Sequence, residues 1–356
     1  MHSHRFYRVL TLVLLALLPL TPARAETGAG VPHWFGETGH TLAYVFRQFY
    51  DGNGGLTMFG FPLTEVFLEE GRPVQYFERA RLEWHADMGQ VLAGHLGRWA
   101  AEAQAQHPAM QPIPDAPAPE SARDYFPETR HSLGGAFRDY WHAHGGLPVF
   151  GFPLSEEFTE RNADDGRDYV VQYFERARFE LHPDLPPAYQ VSLGHLGRRY
   201  LEQHPAPAWS LERVPNADAA WAAVRPTRIT LDRIGVDTAV TAAGSSLAGW
   251  DVPRYTAAYY WPVSAYPGTR GNVVVAGHVG YKNTIFNRLP EAQVGDEIVV
   301  YTGDTPHRYI VREILTLLPS NIWVMLPTSS ETLTLITCVP IKVYSHRLVV
   351  RAEPIR

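Results

Sequence analysis

Three polar residues stand at the ends of otherwise apolar runs in the last third of this 356-residue chain. His278 closes "VVVAGH", Cys338 closes "TLITC", and Arg347 opens "RLVVRA". Side chains of these three types can open an amide. A thiolate attacks a carbonyl that water leaves alone, and neighbouring positive charge favours the thiolate. An imidazolium gives its proton to the departing amine, and the neutral ring later takes one from the incoming amine. Arginine stays protonated throughout, so Arg347 is no base; its guanidinium suits the oxyanion or the substrate backbone.

Cys338 is the only cysteine of the chain, so no disulfide can form within it. In an oxidising compartment a lone thiol is either buried and inert or kept because it reacts. Its surroundings bear on that choice. Residues 221–356 are a succession of β-type runs, "TRITLDRIGV", "GNVVVAGHV", "DEIVVYT", "HRYIVREILTLL", "TLTLITC" and "HRLVVRAEPI", rich in Val, Ile, Thr and Tyr and separated by turns such as Pro267-Gly268. Such spacing predicts a mainly β domain closed, or nearly closed, into a barrel, which removes exposed strand edges. Residues that end neighbouring strands can converge at one barrel rim, open to a substrate.

In residues 226–356, "TLITC" at 334–338, "AGH" at 276–278 and the arginine of "HRLVVRA" occur in the order typical of one family. The domain resembles a sortase, a cysteine transpeptidase of bacterial surfaces. The resemblance implies a sortase-type closed β-barrel, with Cys338 as nucleophile, His278 as general acid and base, and Arg347 as stabiliser of the oxyanion or substrate. It also makes Thr337 a contact to the sorting peptide. As partners it implies surface proteins bearing a C-terminal sorting signal and an amine acceptor of the cell wall or a pilin, with no cofactor. Water in place of the amine would make the same site a thiol hydrolase, and a barrel without activity would leave a wall-binding scaffold. An L,D-transpeptidase fits less well, since its arginine follows the cysteine almost directly and here "VPIKVYSH" intervenes.

The front half is duplicated. "TLAYVFRQFYDGNGGLTMFGFPLTEVF", "VQYFERARLEWH" and "LAGHLGRWAAE" return as "SLGGAFRDYWHAHGGLPVFGFPLSEEF", "VQYFERARFELH" and "SLGHLGRRYLE". Each copy starts with helical spacing, as at Leu42, Val45, Phe46 and Phe49, then breaks at a Gly-Gly turn and "FGFPL" before a strand-like stretch, so two small α+β modules are predicted. They resemble the LGFP-type repeats of exported, wall-associated bacterial proteins, which implies cell-wall binding through the repeats. Tyr76, Phe77, Tyr173 and Phe174 are either a sugar-stacking platform or, more simply, module core. His95 and His195 of "GHLGR" lack a ligand at metal spacing and read as structural, and Glu291, Asp296 and Glu297 read as ordinary turn acids, so no metal is assigned.

Boundaries follow from composition: a signal peptide at 1–25, modules at 26–105 and 123–204, Pro/Ala-rich linkers at 106–122 and 205–220, and the catalytic domain at 221–356. The linkers read as extended, semi-rigid spacers. Arg5 and Arg8, the apolar run Val9 to Leu20, and Ala23-Arg24-Ala25 form an export signal too short to be a spanning helix, which places the protein outside the cell or on its surface and wall. A net charge of −6 with no basic stripe argues against nucleic acid.

Overall fold

The computed structural model describes residues 33–355, apart from 43, 215–224, 244, 247–248, 251, 261–263, 281 and 283. The expected signal peptide lies outside these residues. Among them, no helix is long and apolar enough to cross a membrane.

The chain is mainly β, and its C-terminal part is a closed barrel of eight strands. In chain order these are β1 (Arg228–Leu231), β2 (Val236–Ala243), β3 (Ala257–Tyr260), β4 (Asn272–Ala276), β5 (Glu297–Thr302), β6 (Thr305–Leu317), β7 (Thr332–Val339) and β8 (His346–Pro354). Around the barrel they follow the order β1-β2-β3-β4-β7-β8-β6-β5, and β5 pairs with β1 to close it. The pairs β2/β3 and β4/β7 are parallel. Six runs are legible in the sequence; β2, rich in Ala and Thr, and β3, only four residues long and half Ala, carry a weaker signal.

Alternation along the strands gives the barrel two apolar faces. Val273, Val275, Leu333, Leu335, Leu348 and Val350 fill the interior with Ile229, Ile298 and Tyr309. Val274, Ala276, Ile336 and Val349 point outward, with Leu315 and Leu317 packed beside them. A 3₁₀ turn at Ile322–Met325 covers part of that outer face. Trp84 of the first copy reaches the same loop, its indole N–H donating to the Ser320 carbonyl at 3.1 Å.

The two copies share one order of elements: a short hairpin, two helical segments, a four-stranded antiparallel sheet and a closing helix. The helix of the first copy starts at Tyr44, and Leu42 belongs to the preceding strand. The "VQYFERAR" stretch is not one strand. In the first copy it is the turn of a hairpin between Arg72–Tyr76 and Arg81–His85, closed by the Phe77 N–H on the Ala80 carbonyl at 2.8 Å. The second copy repeats that bond between Phe174 and Ala177 at 2.8 Å.

The copies exchange their ends. The closing helix Leu96–Glu102 packs on Val171 and Tyr173 of the second copy, while Leu196–Gln203 delivers Tyr200 and Leu201 to Phe67, Val74 and Tyr76 of the first. Arg98 N–H donates to the Glu175 carbonyl at 3.0 Å and Arg198 N–H to the Glu78 carbonyl at 3.1 Å, and each guanidinium pairs with the same glutamate's carboxylate. At Gly97 and Gly197 the helices come so close that a Cβ would overlap the carbonyl oxygens of Phe174 and Phe77. Only glycine admits that approach.

The described parts of the proline-rich stretches are therefore not free spacers. After the first closing helix, Ala109 accepts the Glu156 N–H at 2.8 Å, and after the second, Ser210 accepts the Glu65 N–H at 2.7 Å. His107 stacks on Phe158 at 4.2 Å, and Trp209 joins the Phe67/Tyr76 cluster. Their prolines open short helical turns, where a missing N–H costs nothing.

Candidate active site

β4 and β7 run parallel in register from Asn272 opposite Thr332 to Ala276 opposite Ile336. His278 and Cys338 each lie two residues beyond that last pair. The junction is tied twice: Gly277 N–H donates to the Ile336 carbonyl at 3.1 Å, and the Thr337 hydroxyl donates to the Gly277 carbonyl at 2.6 Å. On the other side of β7, Cys338 is directly opposite Arg347 of β8. Paired residues on adjacent strands share a face. Alternation from Ile336 and Val349 carries Cys338 and Arg347 to the ends of β7 and β8 on the outer-face side, and His278 follows Gly277, which is bonded to Ile336 and Thr337 of β7.

All three are half-buried. Cys338 is a free thiol and touches the end of the interior cluster. The Arg347 guanidinium donates to the carbonyls of Tyr344 at 3.3 Å and His346 at 3.2 Å. The His278 Nε2 meets the main-chain carbonyl of Val252 at 2.9 Å, a contact with no signal in the sequence. Val252 itself packs on the outer apolar cluster.

Thr337 differs from the expectation of a substrate contact. It is 2% exposed, falls on the side of β7 that carries Leu333 and Leu335, and spends its hydroxyl on the Gly277 carbonyl. Its visible work is to hold the two strand ends together. Of the loop residues just beyond His278, Tyr281 and Asn283 lie outside the described residues, and Asn287 accepts from the Gly280 N–H at 2.7 Å.

The other singled-out groups are structural. Tyr76 and Phe77 are 0% exposed and Tyr173 and Phe174 at most 1%, so these rings are core and offer no face to a sugar. His195 pairs with Asp164 at 2.8 Å. Asp296 forks onto Arg233, whose hydrogen bonds hold its carboxyl below the ordinary aspartate range; Glu291 pairs with Arg288 and Glu297 with Arg308. Among the described residues, no group of three or more His, Cys, Asp or Glu side chains is placed to hold a metal.

The family model described as "Sortase domain" matches residues 229–355, which contain the whole arrangement. Residues 229–355 are a sortase domain. A curated relative, Sortase A of Bacillus anthracis, is 31% identical over 85 residues, which is 24% of this chain and 40% of that protein. The match thus spans less than half the length of that relative. Among solved structures, a lid mutant of Sortase A from Corynebacterium diphtheriae is 29% identical, covering 37% of this chain and 70% of its own, with a TM-score of 0.33. Sortase C-1 from Streptococcus pneumoniae is 25% identical over 38% of this chain and 68% of its own, with a TM-score of 0.32. The sortase domain accounts for the barrel, and the duplicated region lies outside the residues that the family model matches.

Proposed function

We propose that the chain is an exported cysteine transpeptidase that cleaves a C-terminal sorting signal and transfers the acyl part to an amine of the cell wall or a pilin. The observation that carries this reading is the cross-strand pair Cys338 and Arg347 beside the strand end that bears His278, all three half-buried in a sortase domain. The Cys338 thiolate attacks the scissile carbonyl, and Arg347 donates to the oxyanion or holds the substrate backbone. As the tetrahedral intermediate collapses, the C–N bond breaks, the amine nitrogen leaves with a proton from His278, and a thioester remains on Cys338. The incoming amine gives a proton to the neutral imidazole as it attacks that thioester, and the C–S bond then breaks to leave the new amide and the Cys338 thiolate. Thr337 serves by holding the site together.

Placement at the cell surface or wall follows from the export signal and the family, and wall attachment through the duplicated region rests on its likeness to LGFP repeats. Any wall-binding surface there excludes Tyr76, Phe77, Tyr173 and Phe174, which are buried. Retention of the full chain on purified wall, compared with a control protein of similar charge, tests that part.

A peptide library incubated with the protein and read by mass spectrometry tests the activity. Cleavage with an acyl adduct on Cys338, and a new amide when an amine is added, is the expected result. Free acid whether or not amine is present makes the enzyme a hydrolase. No cleavage of any member ends the reading.

A further inference from the structure

The His278 ring is held by a group that the three-residue site does not include. A main-chain carbonyl only accepts, so the 2.9 Å contact between His278 Nε2 and the Val252 oxygen requires the proton on Nε2. The rest of the residue is also pinned: its carbonyl accepts the Phe286 N–H at 3.2 Å, and Gly277 before it is bonded through both N–H and carbonyl. The acceptor is itself fixed from two sides. The Val252 side chain packs on the outer apolar cluster, and Pro253 after it restricts the Val252 backbone to extended conformations.

We propose that the Val252 carbonyl is the positioning group for His278, holding the neutral imidazole as the Nε2–H tautomer so that Nδ1 is the nitrogen that exchanges protons. This rests on the proposed function for its catalytic meaning. A ring with one nitrogen committed to a fixed acceptor has one basic nitrogen and one orientation, which is the service a third residue performs in other nucleophile–histidine pairs. In the imidazolium, Nε2–H stays on Val252 while Nδ1–H passes to the departing amine. The neutral ring then takes the incoming amine's proton at Nδ1, and no proton leaves Nε2 in the cycle. Val252 touches neither thiol nor substrate in this scheme and acts only through the ring.

The test uses the full chain labelled with ¹⁵N-histidine, with the His278 signals assigned by their loss in His278→Gln. Long-range proton–nitrogen correlation of the neutral ring reads the tautomer directly and needs no altered protein at Val252. A Nε2–H tautomer is expected; a Nδ1–H tautomer, or the rapid mixture of a free imidazole, overturns the proposal. Pro253→Gly frees the Val252 backbone. It should turn the His278 signal into a tautomer mixture and slow acylation about tenfold to a hundredfold with KM little changed. Slowed acylation with the wild-type tautomer intact, or no change in either, also overturns it. Failure of the thiol to acylate at all would remove the proposed function, while the tautomer result stands or falls by itself.

Discussion

The duplicated region and the barrel treat their polar residues in opposite ways. In the first copy His40 pairs with Glu65 while Gln75 donates to the carbonyls of Thr41 and Thr64; in the second, His131 pairs with Glu156 and Gln172 donates to those of Ser132 and Ser155. The Arg81 cluster with Glu69, Glu83 and Tyr76 recurs as Arg178 with Glu160, Glu180 and Tyr173. Each cluster is largely buried and bonded to itself, and having each twice marks it as architecture. In the barrel, Cys338, His278 and Arg347 occur once, half-buried, at strand ends. Polar residues spent on one another build a fold; polar residues brought together at strand ends are available for chemistry.

The sharpest way to break this contrast is to exchange its two sides by mutation. Cys338→Ala should lower peptide cleavage by about a thousandfold or more and leave the melting temperature nearly unchanged, since it removes one atom from a half-buried site. Cleavage assays with calorimetry on the same sample check both. Arg178→Ala should do the reverse. It strands Glu160 and Glu180 beside a side chain only 3% exposed, a loss of about 3–5 kcal/mol by denaturant unfolding, with per-molecule activity of the folded fraction kept. Gly97→Ala and Gly197→Ala should each cost about 1–3 kcal/mol or more, because the added methyl meets a carbonyl of the other copy. Equal losses in the two would show that the exchange of closing helices is reciprocal in energy as well as in contact.

The smallest effect sharpens the barrel side. Arg233 holds Asp296 below the ordinary aspartate pKa. A carboxyl depressed in the folded state stabilises above its unfolded pKa of about 3.9 and loses that contribution as pH falls through its folded value. The melting temperature of the wild type should therefore exceed that of Asp296→Asn at neutral pH, and the gap should shrink below about pH 4. A gap that widens on acidification would show that Arg233 does not govern this carboxylate.

Much of this organisation was legible along the chain. The β-rich runs, the order of His278, Cys338 and Arg347, and the duplication are local patterns, and local patterns survive in one dimension. What the chain hid is long-range. Nothing in "GHLGRWAAE" says that its helix packs on the other copy, and the prolines of the linkers look like spacers until Ala109 and Ser210 are seen bonded to Glu156 and Glu65. Strand alternation assigns Thr337 to the interior only when Leu335 is known to be inside. The Val252 carbonyl carries no side-chain signature at all.

The central claim is that the thiol at the end of β7 takes up an acyl group with the help of the residues paired beside it. The direct measurement is the intact mass of the full chain after incubation with an intact sorting peptide that it cleaves and no added amine. The account predicts a mass increase equal to the N-terminal fragment less water, located on Cys338, absent in Cys338→Ala and discharged when an amine is supplied. An unmodified protein, or an adduct that persists in Cys338→Ala, would contradict it.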